Sequence, residues 1–342
     1  MDWTAFKNCK KPIVLYGMGN GADRILAQLA QVGVFASGVF ASDGFANGKL
    51  FHGFPVISYE DAKKQFGDMI VLLSFGTHLP EVMQNVMKIA AEQELYIPDL
   101  PVVEGELFTQ EFENRHAQEL CAVRKLLADE ISVKTFDAIL EYKRTWKPEP
   151  LLACQMPQEE AYRQILRLSQ HEVLADLGAY RGDTVAEFLK YCQSCDGVLA
   201  VEPDAYSFRK LTENTKNVAN CRLVHAAVSD CVGTAAFCKK RGRGSHLAQG
   251  SEQISTQTLD ELMQGQRVSF INMDVEGAES KAISGAKRTI ERYKPKILMA
   301  AYHRSCDLFS LPLAVLKYRP DYRIYLRHHP AFPAWDTNFY LV

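Results

Sequence analysis

Residues 173–184 read Val-Leu-Ala-Asp-Leu-Gly-Ala-Tyr-Arg-Gly-Asp-Thr, and the fold is decided here. A short apolar run ends at an acid, Asp176, breaks into a glycine-bearing turn and opens a helix. The succession is strand, turn, helix. Glycine lets backbone approach a ligand closely, and a helix N-terminus offers free N–H groups. Many α/β folds need such a turn for packing alone. A carboxylate at the strand end is more specific, because it can hold an ammonium group.

Downstream, strands are expected at Gly197–Val201, Arg222–Val224, Val268–Met273 and Lys296–Ala301, with helical stretches between them. Tyr322–Arg327 and Thr337–Val342 are also strand-like, and the loop joining them holds Pro330 and Pro333. That connection has no helix, so the two should pair antiparallel. Upstream, Pro12–Tyr16 (PIVLY) precedes Gly17-Met-Gly-Asn-Gly21 and a helical pattern with Ile25, Leu26, Leu29 and Val32. Strands at Val34–Phe40 and Met69–Leu73 alternate with helices at Ser58–Phe66 and Glu81–Glu92. This alternation predicts a parallel sheet covered on both faces. Pro98 and Pro101 mark the end of that unit. The reading is therefore an α/β chain in three parts: a Rossmann-like α/β domain at 1–103, a helical connector at 104–165 and a second doubly wound sheet at 166–342. The sequence leaves open whether the connector is a homodimer surface or a lid.

With 342 residues, 47% of them hydrophobic and 23% charged, the chain suits a globular protein of two cores. A net charge of -2 gives no electrostatic reason to expect nucleic acid. No apolar run approaches the ~18 residues of a membrane span, and the start, MDWTAFKNCKK, lacks an apolar stretch of signal-peptide length. A cytoplasmic location is expected. The nine cysteines form no framework and read as free thiols. Cys192 and Cys195, a lone CxxC at a helix end, read as small apolar residues rather than a metal or redox pair. His328 and His329 point to opposite faces of a strand, which disfavours a shared metal. The basic run Lys239–Arg243, in a loop reaching Gly250, reads as a solvated surface loop or as a binder of an acceptor's phosphates.

Three further groups fall at strand ends, where ligands bind in such sheets. Glu202, followed by Pro203, lies about twenty residues after Gly182 and is placed to accept hydrogen bonds from two ribose hydroxyls, a geometry that NAD sites share. His225-Ala-Ala-Val-Ser-Asp230 follows the third strand. Asp274 and Glu276 follow the fourth, in Asn-Met-Asp-Val-Glu-Gly-Ala-Glu (272–279). Two carboxylates there are costly without a cation, a hydroxyl donor or helix N–H groups. The bland alternative is that Asp274 caps the helix from Ala278. His303 follows the fifth strand, with Asp307 beyond it, and can take a hydroxyl proton near neutral pH or be merely structural.

Taken in order, ADLGAYRGDT, AVEPD, HAAVSD, TLDEL, INMDVEGAES and AYHR with Asp307 resemble the FkbM family of methyltransferases over Val173–Val342. The resemblance implies a class I methyltransferase fold, a doubly wound sheet with an antiparallel terminal strand pair. It implies S-adenosylmethionine as cofactor and methyl transfer, mostly to oxygen, on sugars, polyketides and related molecules. By the same resemblance, Asp176, Gly178, Asp183 and Thr184 line the methionine part, with Ala179 and Tyr180 in the same turn. Glu202 holds the ribose with Pro203 beside it, Asp230 lies near the adenine, and Asp274, Glu276 and His303 face the acceptor. Tyr180 and Arg181 stand where the family motif commonly has smaller residues. In the expected mechanism His303 is the base while Asp274 and Glu276 orient a sugar, glycoconjugate or small-molecule hydroxyl. A variant places a divalent cation such as Mg²⁺ at Asp274 and a neighbour.

The N-terminal unit, with LYGMGNGADRIL, Asp43 and GFPVIS, resembles the nucleotide-sugar-binding domain of sugar acyltransferases. Gly17, Gly19, Ala22 and Asp43 also fit a dinucleotide fingerprint. Three readings stay open for it: a nucleotide-linked-sugar site, a structural domain without ligand, and a NAD site. The alternatives for the whole chain are therefore an NAD(P)-dependent oxidoreductase or a non-catalytic nucleotide-sugar-binding protein.

Overall fold

The computed structural model describes residues 1–42, 44–46, 48–238, 246–247 and 252–342. Asp43, the basic run Lys239–Arg243 and most of the loop up to Gly250 lie outside the described residues.

The first sheet is built from β1 (Ile13–Tyr16), β2 (Gly38–Phe40), β3 (Leu50–Phe51), β4 (Phe54–Ile57), β5 (Ile70–Leu73) and β6 (Glu94–Tyr96), in the order β3-β4-β2-β1-β5-β6. All its pairings are parallel except β3 with β4, a hairpin turned at His52–Gly53. The expected strand at Val34–Phe40 is shorter, because only Gly38–Phe40 pairs with β1. Every residue of β1, β2 and β5 is buried, as strands covered on both faces must be.

Five helices, Gln110–Arg115, Ala117–Leu126, Glu130–Thr145, Glu149–Cys154 and Gln158–Ala161, then lead to the second sheet. The longest is capped by Asp129, whose carboxylate accepts from Ser132 N at 2.7 Å. Asp129 also takes both terminal nitrogens of Arg327, which is buried in the last strand pair.

The second sheet has β7 (Val173–Leu177), β8 (Gly197–Val201) and β9 (Cys221–Val224). An inserted small sheet follows, with β10 (Ala227–Val228), β11 (Gly233–Cys238), β12 (His246–Leu247) and β13 (Glu252–Gln257). The main sheet resumes with β14 (Phe270–Met273), β15 (Lys296–Ala300), β16 (Ile324–His328) and β17 (Thr337–Leu341). Its order is β16-β17-β15-β14-β7-β8-β9. β9, β8, β7, β14 and β15 run parallel, whereas β17 lies antiparallel between β15 and β16. This is the class I methyltransferase order expected from the sequence, with its antiparallel terminal pair.

Each sheet buries one face in its own cluster, around Leu15, Val39 and Leu72 in the first and around Leu174, Phe188 and Phe270 in the second, and the two share a third. One contiguous buried cluster runs from Val14, Phe40 and Val71, through Phe108, Phe136 and Tyr142 of the helices, to Ala175, Ile271, Met299 and Leu326. No helix among the described residues is long and apolar enough to cross a membrane.

Candidate active site

Asp176 sits in β7, hydrogen-bonded in register between β14 and β8. It is fully buried. Its Oδ1 accepts from Asn272 Nδ2 at 2.8 Å, and its Oδ2 has no hydrogen-bond partner among the described residues. Burial pushes its carboxyl up to about 7, with Asn272 pulling the other way. Next comes Gly178 at φ +87, where a Cβ would stand 1.9 Å from the Asp274 carbonyl oxygen, so no other residue fits. The N–H groups of Gly178 and Ala179 both donate to Val201 O at 3.0 Å. Tyr180, at φ +46, donates its N–H to Glu202 Oε2 at 2.8 Å.

Glu202 is buried just beyond the end of β8, and its Oε1 accepts from Asp204 N at 2.8 Å. Burial pushes its pKa up to about 7 as well, against the pull of the two N–H groups. Gly182 at φ +88 starts the helix Asp183–Tyr191, which places Asp183 and Thr184 in its first turn. Arg181 lies over the rings of Tyr180 and Tyr206, 4.9 and 5.4 Å from their centroids. Thus Asp176, Gly178, Ala179, Tyr180, Asp183, Thr184 and Glu202 gather around one turn. Pro203 follows, its carbonyl paired with His225 Nε2 at 3.0 Å. Asp230 is exposed between β10 and β11, and Ser229 Oγ donates to it at 3.0 Å.

A second group forms at the ends of β14 and β15. Asp274 and Glu276 flank Val275, and Glu276 adopts φ +51. The helix behind them, Glu279–Gly285, has no side-chain cap. Instead Glu279, fully buried, reaches back to accept from Val275 N at 3.1 Å and Gly277 N at 3.2 Å. The same oxygen lies 2.9 Å from His303 Nδ1. His303 has no exposed surface, and its Nε2 is 3.3 Å from Asp274 Oδ1 and 3.5 Å from Glu276 Oε2. Burial opposes its charge, but Glu279, Asp274 and Glu276 outweigh it and push its pKa up to about 10. The Asp274 side chain is 43% exposed and Glu276's is 22%, so these two carboxylates are the accessible part of the group. Tyr302 donates to Asp274 Oδ2 at 3.1 Å. Asp307 accepts from Arg304 N at 2.7 Å, and its carboxyl is pushed up to about 7 by burial. Asp274, Glu279 and His303 each offer a ligand atom within 4.8 Å of the others.

Asn272, Glu279 and Tyr302 escaped the sequence reading. The signal for Glu279 was its place in the first helical turn, where an acid can satisfy free N–H groups; nothing in the sequence marked it as buried. Elsewhere, Cys192 and Cys195 have thiols pushed up by burial. His328 and His329 make separate contacts, to Thr337 Oγ1 at 3.0 Å and to Tyr340 OH at 2.7 Å. In the N-terminal sheet, Gly17 packs under Phe75, where a Cβ would come 2.4 Å from Cδ1, and at Gly21 a Cβ would come 1.9 Å from Ser74 O.

Residues 176–329 match the methyltransferase FkbM domain. A 2-O-methyltransferase, NoeI of Sinorhizobium fredii (strain NBRC 101917 / NGR234), is 26% identical over 195 residues, covering 48% of this chain and 79% of the relative. The crystal structure of Methyltransferase FkbM from Methylobacillus flagellatus KT shares the fold, with a TM-score of 0.75 and 22% identity over 99% of this chain and 92% of that one. The C-terminal region is a methyltransferase FkbM domain, and the chain is a methyltransferase.

Proposed function

We propose that this methyltransferase uses S-adenosylmethionine to methylate a hydroxyl of a sugar, a glycoconjugate or a related small molecule. The observation that carries the reading is the pair of buried carboxylates, Asp176 and Glu202, at adjacent strand ends on either side of one glycine turn. A buried carboxylate oxygen without a partner is costly unless a cation meets it, and Asp176 Oδ2 is such an oxygen. The cofactor's ammonium group fits there. Glu202 uses one lone pair of each oxygen on backbone N–H groups, which leaves two to accept ribose hydroxyls.

When bound, S-adenosylmethionine supplies an activated methyl group. The protein must then position the acceptor oxygen and remove its proton. We assign proton acceptance to Asp274 rather than His303, because the carboxylates around His303 push its pKa up to about 10, so it already carries its proton at neutral pH, whereas the Asp274 side chain is accessible. His303 stands behind Asp274 as a positioning residue, anchored by Glu279. Its positive charge faces both the Asp274 and the Glu276 carboxyl groups, at 3.3 and 3.5 Å. A divalent cation drawing on Asp274, Glu279 and His303 is the variant. An imidazole in that set suits Mn²⁺ or Zn²⁺ better than Mg²⁺, and turnover that survives thorough chelation dismisses it.

The N-terminal glycine turn is read as packing, supported by the contacts of Gly17 with Phe75 and of Gly21 with Ser74. Isothermal titration with S-adenosylhomocysteine and with NADH tests the proposal. Heat with the first supports it. Heat with NADH alone would return the chain to the oxidoreductase reading.

A further inference from the structure

We infer that the acceptor binds in a cleft shared by both halves of the chain, with Trp335 as the platform for a pyranose ring. The inference rests on the proposed O-methylation of a sugar hydroxyl and names the side chain that seats the ring.

The register of the second sheet sets the location. Ala300 pairs with Asn338 across β15 and β17, and Ala301 N donates to Thr337 O at 3.0 Å. Beyond that bond the chains leave the ladder, Asp336 turning at φ +67, but Asp336 still bears on Tyr302, which donates to Asp274 Oδ2, so the neighbouring Trp335 lies at the sheet end that carries Asp274. Trp335 is 37% exposed, unlike Trp3 and Trp146, which are buried together in the N-terminal core with centroids 4.8 Å apart.

The N-terminal half supports this ring. Its β5 is followed by Gly76, whose backbone carries the Trp335 ring so closely that a Cβ would stand 2.1 Å from Cζ3. Next to it, Thr77 and Phe332 exchange backbone hydrogen bonds of 2.7 and 2.8 Å. These bonds fix the Trp335 loop to the first sheet. The connector adds a second seam, where Ser305 Oγ donates to Glu106 O at 2.7 Å.

An indole face is apolar and is presented at little entropic cost because the ring is already packed. The C–H face of a pyranose matches it, while Asp274 and Glu276 on the same edge accept hydrogen bonds from ring hydroxyls. The N-terminal half thus acts as a support of the acceptor site.

The test uses the full chain saturated with S-adenosylhomocysteine and intrinsic fluorescence, in which Trp335 is the exposed reporter. Methyl glucoside, galactoside, fucoside, rhamnoside and N-acetylglucosaminide are titrated to tens of millimolar. A saturable change with at least one glycoside is expected. Trp335→Phe should lose that signal, and Trp335→Ala and Gly76→Val should weaken binding of the same glycoside at least tenfold by calorimetry. All three variants should hold S-adenosylhomocysteine within about twofold of the parent. No saturable change with any glycoside, or unchanged glycoside affinity in Trp335→Ala, overturns the inference. Failure of S-adenosylhomocysteine to bind the parent protein would instead strike the proposed function.

Discussion

Replacing Asp176 by Asn should make the free protein more stable and the enzyme inactive. Asn keeps an oxygen to accept from Asn272 Nδ2, so the buried contact at 2.8 Å survives. What disappears is the charge. Burial moves the carboxyl from 3.8 to about 7, which at about 1.4 kcal/mol per tenfold change in proton affinity corresponds to roughly 4 kcal/mol of folding free energy. Relaxation around the site, and the Asn Nδ2 donor that then stands without a partner at a cost of about 1–3 kcal/mol, make that an upper limit. The sign follows from linkage: below pH 3.8 the group is protonated both folded and unfolded, and the variant gains nothing. As pH rises toward 7 the unfolded chain ionises while the folded one still holds its proton, so the parent loses stability steadily. Above that the difference is constant. Urea unfolding of parent and variant at pH 5, 6, 7 and 8 should therefore show the Asn variant ahead by a margin that widens and then levels. Calorimetry at pH 8 should show at least a hundredfold loss of S-adenosylhomocysteine affinity. A variant less stable than the parent at pH 8, or one with intact affinity, would refute the role given to this carboxylate.

Cofactor affinity of the parent should fall as pH drops below about 7, because Asp176 and Glu202 both take up protons there and neither can then act as an anion; a flat titration between pH 5.5 and 8 would contradict this. Asp274→Asn should lower kcat by about 10²–10⁴, the range for a lost proton acceptor, while S-adenosylhomocysteine affinity stays within a few-fold; assay with an identified acceptor decides it. Gly178→Ala combines a left-handed φ with a Cβ 1.9 Å from the Asp274 carbonyl. The conformation alone costs about 1–2 kcal/mol, so the melting temperature and turnover should both fall, and a variant with native values of each would show that the turn is softer than described.

Most of the parallel strands were legible because they are apolar runs bounded by turn residues; β6, only Glu94-Leu-Tyr96 directly behind a helix, was not. Their ends then exposed Asp176, Glu202, Asp274 and His303 as one edge. The terminal pair was readable from its short, proline-bearing connection. The hairpin of β3 and β4 and the small sheet of β10–β13 were not, since Leu50–Phe51 and Ala227–Val228 are too short to show a period. Burial of charge was hidden for a different reason. Glu279 is spelled like any acid in a first helical turn, and only the parallel pairing of β15 with β14 brings His303, just past the end of β15, within 2.9 Å of it. The same holds for Trp335, whose ring packs on Gly76, more than 250 positions away in sequence.

The buried layer that the two sheets share has a consequence for how such a chain can diversify. A module with its own core can be traded between proteins as a cassette; a half whose apolar residues interlock with the catalytic sheet cannot be exchanged without rebuilding the shared packing. New acceptors would then be reached by altering rim segments, such as residues 74–79 and 330–336, while the scaffold beneath is inherited whole.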